Sequence, residues 1–370
     1  MAAFLGRNQI AETSHYIVIP EGYLSPSGTY NISSNGTYNV KSYISVSVNV
    51  PILEYDFISR TLSGVYSNTR ITTVKNYAFT YQSSLTSINL PNVRVLGNAA
   101  FMSCQRLTNV TLGNITNIPD YAFEYCSSLA SVNFPSVTTI ENYAFAYCRS
   151  LTSINCPNVV IIGQGVFQNC SSLTSVNFPN ATTIGNGAFA NCYRMTSYNL
   201  SNITSIPYGA FSYCSSLTTA SFSKVTQVDN YAFYGCNLLT SVNLPEASIL
   251  NYYAFGYCRN LTNVSLPKIQ VLSGSVFAGD YGLTEISLPS SLSMMTGSVF
   301  YQCYNLISLN LTRVISVPRL TASGAFSSTP IGGYSTSAGQ YGSIYVPASL
   351  YNDFISASIW SLFSERIVSV

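Results

Sequence analysis

The hydrophobic positions of this chain repeat with a period of 22 residues over most of its length. One phenylalanine column keeps this period without interruption across nine intervals. A fixed period in the twenties predicts one small supersecondary unit stacked on copies of itself, because such a unit cannot bury its apolar face alone. The members of the column are Phe79, Phe101, Phe123, Phe145, Phe167, Phe189, Phe211, Phe233, Phe255 and Phe277.

Further apolar columns lie at fixed offsets from this phenylalanine. Leucine usually stands six residues on, as at Leu107 and Leu129, and isoleucine, leucine or valine stands seventeen residues on, as at Ile118. The pattern Leu-x-x-Val-x-Leu alternates and predicts a short strand, which a following proline often ends because proline has no N–H donor. The Tyr-Ala-Phe segment is too short for a long helix and predicts a single 3₁₀ or α turn that points its Phe inward.

The composition of the chain argues against nucleic acid and the membrane interior as binding partners. Charged residues make up only 8% of the chain, the net charge is +2, and 47% of the residues are hydrophobic. An ordinary soluble domain has about 25% charged residues. Without a basic stripe the chain is not expected to bind nucleic acid. It has no apolar run long enough for membrane insertion. Its first residues do not read as a secretory signal peptide.

The order of the columns closely resembles the BspA-like leucine-rich repeat, also called the Treponema pallidum type. The resemblance rests on Leu-x-x-Val-x-Leu-Pro, then Ile, then Tyr-Ala-Phe-x-x-Cys, and covers about residues 57 to 326. It implies an α/β solenoid, a right-handed leucine-rich-repeat superhelix with a parallel β-sheet on one face and about 12 turns of 22 residues. Such repeats look like those of bacterial surface proteins that adhere to host or matrix components, so the resemblance implies this function by association.

The flanks depart from the repeat and predict three domains: 1–53, 54–326 and 327–370. Residues 1–53 contain Gly-Thr-Tyr-Asn twice and a strand-like alternation at Val46, Val48 and Val50. This segment is similar to small β modules of phage tail proteins, and a homo-oligomer could form through it. Residues 327–370 read strand, proline, helix, strand and resemble a C-terminal cap, with Trp360 as a plug for the open end of the core.

Nine of the ten cysteines lie at one repeat offset, three residues after the phenylalanine or its equivalent. We expect small apolar fillers with free thiols, while disulfides between turns or a redox role remain alternatives. Because no ligands cluster at short spacing, we expect no metal site. Asp280 occupies the same column, which predicts that the column is not wholly dry there.

Two sets of side chains are candidate ligand-binding residues. Residues eight and ten positions after the Phe face the solvent side of the strands as short neutral donors and acceptors. Tyrosines flank the Phe, and Tyr combines contact area with a polar tip. In both sets the alternative is structural: asparagines that bond along the ladder, and tyrosines that stack on one another. The candidates are Asn89, Asn133, Asn155, Asn177, Asn199 and Asn243, and Tyr81, Tyr125, Tyr147, Tyr213 and Tyr257.

No catalytic constellation is visible. His15 is the only histidine and lies outside the repeats, so Ser–His or Cys–His nucleophilic catalysis is not expected. The chain has no Gly-rich phosphate loop. We therefore expect that the protein is not an enzyme and that it has neither catalytic residues nor a cofactor.

Three functional hypotheses remain open. The first is a non-enzymatic recognition or adhesion protein that binds a cell-surface glycan or protein through the repeat face. The second is a component of a phage tail or tail-like particle, attached through residues 1–53. The third is a passive spacer. The corresponding locations are extracellular, on the cell surface, or in a phage virion.

Overall fold

The computed structural model describes residues 31–32, 45–48, 62–336 and 339–370, and gives only the backbone of the first two ranges. The chain divides into two compact units, Met1–Ala181 and Thr182–Val370. In each unit the repeats form parallel strand ladders, as expected for a solenoid of leucine-rich repeats. Followed along the chain there are about 14 turns of roughly 22 residues, against the 12 expected.

Each unit has a main ladder that carries one strand from each of its turns, and in the repeats this strand lies at the predicted Leu-x-x-Val-x-Leu segment. The first unit contributes Asn31–Ile32, Ser45–Val48, Ser63–Ser67, Ser84–Leu90, Asn109–Leu112, Ser131–Asn133, Ser153–Asn155 and Ser175–Asn177. The second unit contributes Ser197–Asn199, Thr219–Ser221, Ser241–Asn243, Asn263–Ser265, Glu285–Ser287, Ser308–Asn310, Ser343–Val346 and Ile367–Ser369.

Each unit also has a second ladder of two-residue strands, which passes through the apolar column seventeen residues after the Phe and which the sequence did not predict. Its short strands also pair in parallel, for example Thr139–Ile140 with Ile161–Ile162. In the first unit its members are Thr73–Val74, Val95–Leu96, Asn117–Ile118, Thr139–Ile140 and Ile161–Ile162. In the second they are Thr183–Ile184, Ser205–Ile206, Gln227–Val228, Ile249–Leu250, Val271–Leu272, Met294–Met295 and Arg319–Leu320.

The segment around each repeat Phe is a series of overlapping turns, so the prediction of a single 3₁₀ or α turn is wrong in detail. The Thr80 N–H donates to the Tyr77 carbonyl within its own turn, at 3.1 Å. The Phe79 N–H donates instead to the Ala100 carbonyl of the next turn, at 2.8 Å. The N–H groups of successive residues thus donate alternately to a carbonyl of their own turn and to a carbonyl of the next turn. In this way the buried backbone groups are hydrogen-bonded without a helix.

Helical segments among the described residues occur only near the C-terminus. They are the 3₁₀ segments Ser323–Phe326, Ala348–Leu350 and Trp360–Arg366 and the α-helix Tyr351–Ser356.

The phenylalanine column forms the centre of the core in both units, as predicted. Every member from Phe79 to Phe277 is fully buried. Neighbouring rings within a unit are stacked, with centroids 5.1 Å apart for Phe79 and Phe101 and 5.0 Å apart for Phe233 and Phe255. Each such pair contributes about 0.5–1.5 kcal/mol beyond the burial of its apolar area.

Of residues 1–53, only Asn31–Ile32 and Ser45–Val48 lie among the described residues. Ser45–Val48 overlaps the predicted strand and pairs in parallel with Ser63–Ser67. The rest of the predicted N-terminal module, including the second Gly-Thr-Tyr-Asn, lies outside the described residues.

The end of the second unit follows the predicted order of strand, helix and strand. Ser343–Val346 and Ile367–Ser369 pair in parallel. Trp360 is buried, and its Nε1 donates to the Pro318 carbonyl at 2.7 Å. Its ring packs 6.1 Å from Phe326, the last ring of the stack, so it covers the core as expected for a plug.

Two columns of the repeat have left-handed backbone. They lie two residues before and two residues after the Phe, with φ near +60°. Glycine and asparagine suit this conformation, and both occur there, as at Gly187 and Asn191. A bulky side chain is uncommon at positive φ, because its Cβ crowds the backbone at a cost of about 1–2 kcal/mol. Ten tyrosines nevertheless occupy these columns: Tyr77, Tyr81, Tyr121, Tyr125, Tyr143, Tyr147, Tyr213, Tyr231, Tyr253 and Tyr257.

Several of these tyrosine rings lie over the equivalent residue of the next turn. Where that residue is glycine, the ring occupies the space that a side chain would need. A Cβ on Gly165 would lie 2.5 Å from Tyr143 Cδ1, and one on Gly279 would lie 2.6 Å from Tyr257 Cδ1. Where it is another tyrosine the rings stack, as Tyr143 does on Tyr121 at 5.4 Å.

The cysteine column forms a ladder of thiol hydrogen bonds between turns. All ten cysteines are buried and free, as predicted. The thiols also have a role that the sequence did not reveal. The Sγ of Cys148 donates to the Phe123 carbonyl of the preceding turn at 3.1 Å, and that of Cys236 donates to the Phe211 carbonyl at 3.2 Å. Burial raises the pKa of these thiols, to about 12 for Cys104, which keeps them protonated as donors.

Asp280 replaces a thiol of this column and is fully buried, so the expectation of a wetter position is wrong. Its Oδ1 accepts from the Cys258 N–H at 2.7 Å, whereas Oδ2 has no partner. Burial raises the pKa of this carboxyl well above its usual value, and the Cys258 N–H opposes the shift. The titratable groups beside it are the thiols of Cys258 and Cys303.

We expect Gly165→Ala to destabilise the protein by about 2 kcal/mol, because the new methyl group meets positive φ and the Tyr143 ring. In a Tyr143→Ala background the same change should cost about half as much, since only the backbone strain remains. Chemical denaturation of the four proteins of this double-mutant cycle measures the coupling. Strictly additive effects would show that the ring does not occupy this space.

We expect the stability of the second unit to fall as pH rises above about 4, because the folded state retains the Asp280 proton that the unfolded chain releases. The slope is about 1.4 kcal/mol per pH unit until the raised folded-state pKa is reached. Asp280→Asn keeps the Oδ1 acceptor and should remove this slope in denaturant titrations between pH 5 and pH 8. Parallel pH profiles for parent and variant would contradict a protonated Asp280.

Candidate functional site

The predicted solvent face of the strands is observed. Along Ser131–Asn133, Ser153–Asn155 and Ser175–Asn177, the first and third residues are exposed and the middle one is buried. The candidates Asn133, Asn155, Asn177, Asn199 and Asn243 are exposed at the third position, and Asn89 is half-buried. This face therefore presents amide and hydroxyl groups, as the period-2 pattern indicated.

Some of these amides bond along the ladder. The Asn155 Nδ2 donates to Asn133 Oδ1 at 2.7 Å, and the Asn89 Nδ2 donates to Ser67 Oγ at 3.2 Å. The structural interpretation of the asparagines therefore holds for these pairs, and the paired groups are held in fixed orientations.

The main ladder of the first unit is interrupted beside this asparagine pair. Asn109–Leu112 is the last strand of one sheet, while Ser131–Asn133 pairs only with Ser153–Asn155 in another. Val110 is half-buried at the break, whereas the equivalent Val132 is buried. A groove of about 410 Å³ opens there, lined by Thr108, Asn109, Val110, Thr111, Ser131, Val132, Asn133, Ser153, Ile154 and Asn155.

The polar groups of the groove are neutral and only partly used. The Thr108 hydroxyl donates to the Thr86 carbonyl at 3.0 Å and accepts from Asn109 Nδ2 at 3.1 Å. Within the described residues, the hydroxyls of Thr111, Ser131 and Ser153 make no hydrogen bond to the protein. The groove can therefore offer both donors and acceptors to an uncharged ligand. The sequence pointed to the face but not to the break.

The candidate tyrosines of the first unit behave largely as structural stacks. The rings of Tyr125 and Tyr147 are 4.4 Å apart and nearly parallel. Desolvation raises the pKa of Tyr125, and the neighbouring Tyr147 adds to the shift. Tyr81 is 63% exposed. The structure does not bring these three rings together with the groove residues.

The candidate tyrosines of the second unit belong to a larger cluster. Tyr213 and Tyr257 each pack edge-to-face against Tyr234, with centroids 5.4 Å apart in both pairs. Sequence reasoning missed Tyr234. Its signal was that it is the only aromatic residue one position after the Phe from Phe79 to Phe277, and that the adjoining turns carry the small Ser212 and Gly256 there.

Charge contributes little to either surface. Lys268 and Glu246 form the one ion pair found among the described residues, at 2.7 Å on the surface. In the same part of the chain, no three His, Cys, Asp or Glu side chains are grouped so that they could hold a metal ion. His15 lies outside the described residues. None of the described helices has the length and apolarity required to cross a membrane.

Comparisons with known proteins identify the repeat. The family model described as "BspA type leucine rich repeat region (6 copies)" matches residues 50–159, 138–249 and 220–331. A search of curated protein sequences found no match.

Solved structures show the same fold. A leucine rich cell surface protein from Faecalibacterium prausnitzii is 22% identical, with 98% of this chain and 97% of that chain covered and a TM-score of 0.53. A leucine-rich repeat protein from Bacteroides ovatus is 19% identical, with 81% and 88% covered and a TM-score of 0.50. The family match extends over more than half of the sequence. The chain therefore belongs to the BspA-type leucine-rich repeat family.

Proposed function

We propose that this chain is a non-enzymatic recognition or adhesion protein that binds an uncharged glycan or protein on a cell surface through its repeat face. The observation that carries the proposal is the groove of the first unit, where an interrupted ladder exposes unbonded hydroxyls beside a fixed asparagine pair. Such a site suits a ligand with many hydrogen-bonding groups and no charge, because the groove has no ionic side chain.

Three further observations support this function. The family consists of repeat proteins, and the similar Faecalibacterium prausnitzii protein is described as a cell surface protein. Charged residues make up 8% of the chain, which leaves hydroxyl, amide and phenol groups to make polar contacts. Surface location is part of the proposal.

The alternatives rest on other parts of the molecule. The similarity to phage tail modules falls on residues 1–53, most of which lie outside the described residues. A passive spacer would need only the side chains that hydrogen-bond to neighbouring strands, such as Asn133 and Asn155. The open groove favours recognition over a spacer.

We expect Ser153→Trp to block the groove and lower binding at least tenfold, because the indole would fill the space beside Asn133 and Asn155. The probes are an array of neutral and acidic cell-surface glycans and intact bacterial and epithelial cells. Ser197→Trp is the matched control, since Ser197 is exposed at the same strand position in the second unit.

Circular dichroism and thermal melting establish that both variants remain folded. Equal loss in the two variants would contradict a site in the groove. A parent protein that binds neither the array nor the cells would favour the spacer.

A further inference from the structure

A cluster of seven tyrosines covers one surface of the second unit. Tyr234 stands at its centre and packs edge-to-face against four rings, those of Tyr213, Tyr231, Tyr253 and Tyr257, at centroid distances of 5.4–5.8 Å. Perpendicular rings hold each other at fixed angles, so the surface is rigid. The members of the cluster are Tyr208, Tyr213, Tyr231, Tyr234, Tyr252, Tyr253 and Tyr257.

The backbone does not require tyrosine at these positions. Tyr213 and Tyr257 lie in a left-handed column where other turns carry Asn169, Asn191 or Gly235. Those residues adopt positive φ more readily than tyrosine does. Tyr125 and Tyr147 of the same column are stabilised by stacking on each other. Tyr213 and Tyr257 instead face glycine in the next turn, so no stacked tyrosine of the column offsets their backbone strain, which points to a function other than folding.

The neighbouring turns leave room for the rings. A Cβ on Gly235 would lie 2.8 Å from Tyr213 Cδ1, and a Cβ on Gly279 would lie 2.6 Å from Tyr257 Cδ1. Glycine therefore stands where any larger side chain would displace a ring of the cluster. Ring and glycine are matched in adjacent turns, which makes the cluster a built surface rather than a chance excess of tyrosine.

The cluster is exposed at its edge and consists of neutral side chains. A cation stands beside it at Arg259, whose guanidinium packs over the Tyr281 ring, 5.5 Å from its centroid. Tyr208 and Tyr213 are 52% and 46% exposed, and Tyr252 is 43% exposed. Desolvation raises the pKa of Tyr234, and Tyr213 and its other ring neighbours add to the shift, so the phenol stays neutral. Asp229, on an adjoining segment, is engaged by Gln227 Nε2 at 2.6 Å and Asn251 Nδ2 at 3.0 Å.

These features define the ligand class. Ring faces attract the weakly positive C–H groups of a sugar ring, while phenol hydroxyls both donate to and accept from sugar hydroxyls. An ionic ligand would find no counter-charge among the seven tyrosines. A proline-rich peptide offers mainly carbonyl acceptors and docks in an aromatic groove, so it would leave the acceptor side of the phenols unused.

We propose that the tyrosine cluster around Tyr234 is a carbohydrate-binding surface for a neutral polysaccharide, separate from the groove of the first unit. This inference rests on the proposed recognition function and extends it to a second surface, which lies in the second unit.

The test uses the full chain and three soluble neutral polysaccharides: mannan, β-glucan and xylan. Alginate serves as the anionic control and a polyproline peptide as the competing class. Tyr213→Asn and Tyr257→Asn install the residue that the same column carries at Asn169 and Asn191, so the fold is kept. Tyr125→Asn is the matched control, because it makes the same change in the same column of the first unit.

We expect the parent to bind at least one neutral polysaccharide in calorimetry, and each cluster variant to weaken that binding at least tenfold. Tyr125→Asn should leave it unchanged. The tenfold loss in each cluster variant should persist in a Ser153→Trp background, in which the groove is blocked, and this separates the cluster from the groove. Three results would overturn the inference: no binding to any neutral polysaccharide, preferential binding of alginate or polyproline, or equal weakening by Tyr125→Asn.

Discussion

The hydrogen bond from a repeat phenylalanine N–H to the carbonyl of the residue before the next phenylalanine is the constraint on which the molecule depends. In the first turns it joins Phe79 to Ala100 and Phe101 to Ala122, both at 2.8 Å. The bond sets the distance between turns. At that distance the phenylalanine rings stack and the strands of neighbouring turns form hydrogen bonds. The residue before the Phe is buried and small, alanine in most turns and valine at Val166 and Val276, which allows the turns to approach this closely.

Much of the fold follows from side-chain periodicity alone. The phenylalanine column, the strand positions, the buried cysteines and the covering Trp360 were all predictable, because each is an apolar position that recurs or terminates a core. The alternation of hydrogen bonds around the Phe was not predictable, since it concerns which carbonyl each N–H selects. The sequence pattern does not distinguish Thr80, which bonds within its turn, from Phe79, which bonds to the next.

The candidate surfaces were only partly predictable for a related reason. Asn133 and Asn155 follow from the strand alternation, but the interruption next to Asn109–Leu112 depends on how two similar turns pair. Tyr213 and Tyr257 stand out as aromatic residues beside the Phe. Tyr234 acquires its importance only when rings from neighbouring turns meet around it.

The left-handed columns bear on how such a chain can diversify. Glycine, asparagine, serine and tyrosine all occupy the same backbone conformation there, for example Gly187, Asn191, Ser103 and Tyr213. Exchange among these residue types alters what the exterior offers and leaves the buried columns unchanged, provided that no tyrosine ring of the preceding turn occupies the space, as at Gly187. Selection can therefore revise ligand preference by single-codon steps along a scaffold whose interior remains fixed.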